Sequence, residues 1–223
     1  MANYVIGITG ASGSVYGQRA VQALLAEGHC VHLIVSAPGR RVILQELGLE
    51  FPADAEGPVS PGGALDSLWR VFAAGGLRHQ AGTGQAGSQG IEAGNLILHS
   101  PENIGATIAS GSFPVEGMAI VPCSMATVAG VASGTSRNLI ERSADVAVKE
   151  GRPLVVVPRE TPLSAIHLEN LLKLARLGVR IVPAMPAFYN RPKSVSEIVD
   201  FVAGRALSSL GLEGNPLVNP WQG

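Results

Sequence analysis

The chain has 223 residues, 46% hydrophobic and 15% charged, which is enough apolar content to bury one sizeable core, so residues 1–223 are expected to form one domain. A formal net charge of -1 gives no electrostatic basis for binding nucleic acid or an anionic membrane. The only cysteines, Cys30 and Cys123, stand far apart in no metal-ligand or redox spacing, which suggests neither a disulfide framework nor a zinc site and leaves both as small buried hydrophobes.

The N-terminus, "MANYVIGITG", has no basic region ahead of its apolar stretch and runs straight into a glycine turn, unlike a signal peptide, so the cytoplasm is the expected location. The strand "VIGIT" leads into "GASGSVYGQR", with glycines at Gly10, Gly13 and Gly17. A second strand, "CVHLIVS", ends at Ser36; His29 and His32 at its start read as packing or surface residues. Residues 51–63 are expected as a loop, and residues 73–94 as a Gly-rich loop, because both are rich in Pro or Gly with weak periodicity. After the strand "NLILHS" comes Gly117 to Ser136, uncharged over roughly the length of a membrane span. It holds Pro122, glycines and several hydroxyls, so a strand "MAIVPCS" followed by a small-residue helix fits it better.

The next helix begins near Asn138 and places Arg142, Asp145 and Lys149 on one face, with an Asp145–Lys149 pair as its simplest reading. Arg159 and Glu160 immediately follow the apolar "LVVVP", either as a capping salt bridge or at the carboxyl end of a central strand, where open α/β sheets keep their chemistry. In "ETPLSAIHLENLLKLARLG", Thr161 can cap a helix whose stripe is Leu168, Leu171, Leu172 and Ala175 and which stops at Gly178. Tyr189 falls in the loop after the strand "VRIVP". In the last helix, Ser194 and Glu197 form a capping box and Gly211 closes the end; Arg205 lies one turn beyond Phe201, where its stem snorkels or its guanidinium meets a buried anion. Residues 213–223 form a C-terminal tail. This alternation of Val/Ile-rich runs with helical patterns predicts an α/β fold with a doubly wound, mostly parallel sheet covered on both faces.

The first turn of such a sheet presents free backbone N–H groups at a helix start, where a phosphate is favoured. A dinucleotide fingerprint requires G-x-G-x-x-G and an acid about twenty residues on. Here the spacing is G-x-x-G-x-x-G and the second strand ends at Ser36, so the ribose partner of NAD is missing. A hydrolase elbow requires G-x-S-x-G; Ser12 follows Gly10 correctly, but Ser14 stands where the second glycine belongs, and His167 and Asp145 come in the wrong order for that fold. A turn suited to a mononucleotide phosphate or another small anion remains.

Five segments, "TGASGSVYG", "PCSMATVAGVASG", "NLIERSADVAVKE", "RPLVVVPRETPLSAIHLENLLKL" and "PAFYNRPKSVSEIVDFVAGRAL", together resemble the UbiX-type flavin prenyltransferases, historically called aromatic acid decarboxylases. The resemblance implies a flavodoxin-like or Rossmann-like three-layer sandwich. It further implies that FMN and dimethylallyl monophosphate bind and that the prenyl group is joined to N5 and C6 of reduced FMN without a metal. The product would be prenylated FMN for UbiD-type decarboxylases, made by a homo-dodecamer with sites between subunits.

By the same resemblance Gly10, Ala11 and Ser12 match the FMN-contacting turn, Ser36 the second-strand hydroxyl, Ser124, Met125, Ala126 and Thr127 the flavin loop, and Arg142 the FMN arginine. Glu46, Lys149, Arg159 and Glu160 match polar residues around the prenyl phosphate and reacting flavin edge, Glu160 being the first choice of base and Glu46 the second. Tyr189 and Arg205 match contacts of the dimethylallyl phosphate, and Trp221 falls near a C-terminal tryptophan of the family. The chain departs from the family in reading "SAPGRR" where members continue the second strand as "SKAA". A flavin-dependent cysteine decarboxylase and a non-catalytic FMN carrier are the alternatives; the "VPRETP" and "FYN" segments speak against the first.

Overall fold

The computed structural model describes residues 1–52, 55–73, 94–212 and 215–217. Most of the Gly-rich 73–94 segment and of the 213–223 tail, Trp221 included, lies outside these described residues.

The six expected strands all form. They are β1 (Asn3–Ile8), β2 (Cys30–Val35), β4 (Leu96–His99), β5 (Gly117–Cys123), β6 (Leu154–Pro158) and β7 (Arg180–Ile181), with β3 (Gly57–Val59) added inside the expected 51–63 loop. The sheet order is β3-β4-β2-β1-β5-β6-β7. β3 pairs antiparallel with β4, and all other pairings are parallel. Counted alone, the parallel strands run 3-2-1-4-5-6, the doubly wound order, and the topological switch falls between β1 and β5. Three paired residues sufficed for β3 because Val59 buries against the sheet edge, a tertiary gain that no local pattern announces.

Helices α1 (Ser14–Ala26), α2 (Ala37–Leu47), α3 (Asp66–Phe72), α4 (Met125–Ser133), α5 (Leu139–Lys149), α6 (Ala165–Arg176) and α7 (Val195–Ser209) cover the sheet. Alternation along β1 sets the layers: Ile6 and Ile8 join the core under α1, α2, α3 and α7, while Val5 joins the core under α4, α5 and α6. The uncharged 117–136 stretch divides into β5 and α4 as expected, and no described helix is long and apolar enough to cross a membrane. Cys30 and Cys123 are free and buried.

Three local readings need correction. The capping box expected at α7 is half formed: Ser194 Oγ accepts from Glu197 N (3.2 Å), but the Glu197 carboxylate accepts from Lys193 N (2.9 Å) and not from Ser194 N. α6 is capped by Ser164, not Thr161: the Ser164 hydroxyl accepts from His167 N (3.3 Å) and His167 Nδ1 accepts from Ser164 N (3.2 Å). Residues 161–164 lie outside the helix, so Thr161 stands too far ahead of the first turn to cap its N–H groups. The stripe of α6 also does not reach the core as a whole. Leu174 is its buried residue and Leu171 packs partly, whereas Leu168 and Leu172 are exposed, because β7 is two residues long and leaves that margin of the sheet uncovered.

Gly17 lets α1 lie directly on the sheet. A Cβ there would press on the Val121 carbonyl oxygen and come within 2.8 Å of the Ile8 side chain. Both belong to buried strands that cannot yield, so Gly17→Ala is expected to cost about 1–3 kcal/mol of stability, the usual range for overpacking. Urea unfolding checks this; an unchanged midpoint would contradict the close approach.

Candidate active site

The carboxyl ends of β1, β2 and β5 meet around a cavity of about 350 Å³ lined by Gly10, Ser36, Pro38, Ser124, Ala126, Thr127, Arg137, Asn138 and Glu141. Three helices start at its wall. Ser36 caps α2 by accepting from Gly39 N (3.1 Å), Ser124 caps α4 by accepting from Thr127 N (3.4 Å), and Asn138 caps α5 by accepting from Glu141 N (3.0 Å). Their aligned peptide dipoles favour an anion, and the capping hydroxyls keep O–H donors to offer it. Thr9, buried at the end of β1, fixes the floor: its Oγ1 donates to Pro122 O (2.9 Å) and accepts from Ser124 N (2.7 Å).

A second cluster sits at the start of α1. Gly13, at φ 104°, turns the chain into the helix, and the Glu46 carboxylate closes that turn. It accepts from Ser12 Oγ (2.7 Å), Gly13 N (3.0 Å), Ser14 N (2.8 Å) and Ser14 Oγ (2.6 Å). Burial would raise the Glu46 pKa, but these hydrogen bonds outweigh it and hold the carboxyl below its ordinary value. Tyr16 lies beside the same turn, its ring crowding Gly13. Burial raises its phenol above the ordinary value; Arg159 pulls the other way and Glu46 adds to the rise, so the three groups share one neighbourhood.

Arg159 leaves the end of β6 with its Nε buried and without a hydrogen-bond partner among the described residues. Glu160 is exposed, and one of its oxygens accepts from Thr161 N (3.0 Å). The loop after β7 is stitched to the same strand end through Ala184 N and Pro158 O (3.0 Å). Tyr189 in that loop packs edge-on against Phe201 at 6.3 Å between ring centres, and Arg205 follows Phe201 by one turn on α7, exposed.

Residues 2–207 match the Flavoprotein family model. The flavin prenyltransferase UbiX of Synechocystis is 46% identical over 219 residues, 98% of this chain and 95% of that protein. The chain belongs to the flavin prenyltransferase family. Among solved structures, the dodecameric FMN-dependent UbiX-like decarboxylase of Escherichia coli O157:H7 is 39% identical with a TM-score of 0.75, covering 99% of this chain and 100% of that one. AnUbiX in complex with FMN and dimethylallyl pyrophosphate is 32% identical with a TM-score of 0.78, covering 100% and 98%.

Within one subunit of this flavin prenyltransferase-family chain, the fold gathers some expected residues and separates others. Gly10, Ser36, Ser124, Ala126 and Thr127 line the cavity, while the Ala11 and Met125 side chains are buried. Ser12 turns instead to Glu46. Arg142 does not line the cavity; it pairs with Asp145 (3.3 Å), and Lys149, at the far end of α5, pairs with Glu150 (2.7 Å), so the simple Asp145–Lys149 pair is replaced by two others. No Arg159–Glu160 ion pair forms among the described residues.

Thr9, Tyr16, Pro38, Arg137 and Glu141 were not singled out by sequence reasoning, and Asn138 was marked only as the start of a helix. Asn138 carried a usable signal, an Asn directly before an apolar helical pattern. Glu141 is 2% exposed; burial would raise its pKa, and hydrogen bonds from Arg137 and Thr135 bring it below the ordinary value instead.

Proposed function

We propose that this protein is a flavin prenyltransferase that joins the dimethylallyl group of dimethylallyl monophosphate to N5 and C6 of reduced FMN, the product serving a UbiD-type decarboxylase. What supports this reading most is the juxtaposition, at one edge of the sheet, of a hydroxyl-lined cavity at three helix starts with a separate Arg/Tyr/Glu cluster. The first suits a mononucleotide phosphate; the second, through Arg159, suits a departing phosphate, and Glu160 follows Arg159 in the chain as the proton acceptor. Reduced flavin, when bound, supplies the nucleophilic N5 and C6.

The chain's own residues divide the remaining work. A prenyl phosphate loses its phosphate only if the charge that develops on the leaving group is met by fixed donors. Arg159, with a buried Nε lacking a partner, and Arg205 and Tyr189 around Phe201 meet it in this reading. Glu160, one of whose oxygens has no partner among the described residues, accepts the proton lost from C6. Glu46, engaged by four donor groups, positions the turn at the head of α1.

Homo-oligomer formation, as a dodecamer, completes the proposal. α6 leaves Ile166, Leu168 and Leu172 exposed, an apolar face suited to a contact between subunits. A site shared between subunits also brings in Arg142 and Lys149 from a neighbour. The test is to incubate the pure protein with reduced FMN and dimethylallyl monophosphate, with the pyrophosphate in a parallel arm, and weigh the flavin. A gain of one dimethylallyl unit is expected. Bound flavin of unchanged mass would leave an FMN carrier, and carbon dioxide released from a peptide cysteine would mark a decarboxylase.

A further inference from the structure

The charge balance of the cavity points to a residue that the family motifs do not mark. Two ionisable side chains line it, Arg137 and Glu141. Glu141 is almost wholly buried and its carboxylate is committed. Oε1 accepts from Arg137 Nη2 (2.7 Å), and Oε2 accepts from Arg137 N (2.9 Å), Arg137 Nε (3.2 Å) and Thr135 Oγ1 (3.0 Å). The guanidinium is thereby gripped along its Nε–Nη2 edge, while Nη1 has no partner among the described residues and the side chain as a whole is 61% exposed. Gly130 makes room for the grip, since a Cβ there would collide with the Glu141 carboxylate and come within 2.8 Å of Arg137 Nη2.

Such a clamp fixes a long cationic side chain that would otherwise lose rotamer freedom on binding a ligand, and leaves one face of its planar fork for an anion. The other cavity donors, the hydroxyls of Ser36, Ser124 and Thr127 and the helix starts, carry partial charge only, whereas a phosphate monoester carries roughly -1.5 to -2 at neutral pH. Arg142, the arginine marked by family resemblance, is outside the lining and tied to Asp145.

We infer that Arg137, held by the buried Glu141, is the phosphate-recognition residue of this cavity and pairs with the 5′-phosphate of FMN. The inference rests on the flavin reading above. It makes Arg137 a binding residue and Glu141 the group that positions it.

Riboflavin, which is FMN without the phosphate, supplies the test. By calorimetric or fluorescence titration of the whole protein, Arg137→Ala is expected to weaken FMN binding roughly 10–100-fold, the scale of losing a charge-assisted hydrogen-bonded partner, and to leave riboflavin binding unchanged. Because Arg137→Ala strands a buried carboxylate, the double variant Arg137→Ala/Glu141→Gln is titrated alongside. It should show the same selective loss, with thermal unfolding reporting that it is folded. Arg137→Lys keeps the charge without the fork and should recover part of the FMN affinity. Equal losses for FMN and riboflavin, or none for either, would overturn the inference while leaving the flavin reading standing. A wild-type protein that binds neither flavin would overturn both.

Discussion

Glu160→Gln is expected to lower turnover by about 10²–10⁴-fold, the usual contribution of a general base, while leaving the fold and FMN affinity intact. The substitution is nearly isosteric at an exposed position, and its amide oxygen can still accept from Thr161 N as the carboxylate does at 3.0 Å. What disappears is the basic oxygen that is not so engaged. Glu46 is the competing candidate, but four donor groups already converge on it and its carboxyl is held below the ordinary range, so it is a poor proton acceptor. Removing it should instead loosen the start of α1, by the ~0.5–2 kcal/mol typical of a lost helix cap. Single-turnover assays with saturating prenyl phosphate, set beside urea unfolding of both variants, separate the two carboxylates. Unchanged turnover in Glu160→Gln would move the base to Glu46 or to the departing phosphate itself.

The parts of this molecule that were legible in the sequence are those governed by local pattern. Short Val/Ile-rich runs such as "CVHLIVS" and "LVVVP" read as strands buried on both faces and form β2 and β6, and Ser194 marks the start of α7, where its Oγ accepts from Glu197 N (3.2 Å). The spacing of the glycine turn departs from the dinucleotide fingerprint, and Gly10 and Ser36 line one cavity at the strand ends. What stayed hidden depends on partners distant in sequence. β3 exists because β4 offers it an edge, and Glu46 was matched to the reacting edge as a second choice of base because nothing in "VILQEL" announces the Ser12–Ser14 turn more than thirty residues away. Nothing in the sequence marks Arg137; only its pairing with the buried Glu141 four residues on shows that its direction is fixed. Arg142 and Lys149 share a helix face with Asp145 in the sequence, yet neither enters the cavity of its own subunit, since α5 leads away from the sheet edge where it starts.

A pair of buried histidines adds a pH dependence of stability that sets in near pH 6.5, above the range where unfolded carboxylates take up protons. His32 Nδ1 and His99 Nε2 share a hydrogen bond of 2.9 Å beneath the Phe113 ring, with the Cys30 thiol 3.8 Å from His32 Nε2 and the Glu56 carboxylate 3.9 Å from His99 Nδ1. Burial, reinforced by His99, pushes His32 down to about 4; burial also lowers His99, against the pull of Glu56. The unfolded chain takes up these protons near pH 6.5, whereas the folded one resists until well below, so the unfolded state binds more protons across the interval and stability rises with pH through it. The stability is therefore at its plateau above about pH 6.5 and declines as the pH falls toward 4, with His32 alone accounting for about 2 kcal/mol by pH 5. His29, also lowered chiefly by burial, adds to the same slope, so the comparison with a variant isolates the pair. His32→Gln retains a hydrogen-bonding side chain and cannot titrate. Urea unfolding at pH 7 and pH 5 should show a smaller drop for it than for the wild type, and equal drops would mean that the pair takes up its protons in the fold as freely as in the unfolded chain. The consequence reaches the candidate site through the backbone: His99 leads by way of Ser100 into Pro101, whose carbonyl accepts from Leu139 N (2.8 Å) at the start of α5, beside Asn138 and Glu141 of the cavity wall. Acid that forces a charge onto the histidine pair loosens that anchor, so FMN affinity should fall with stability as the pH drops, and less so in His32→Gln.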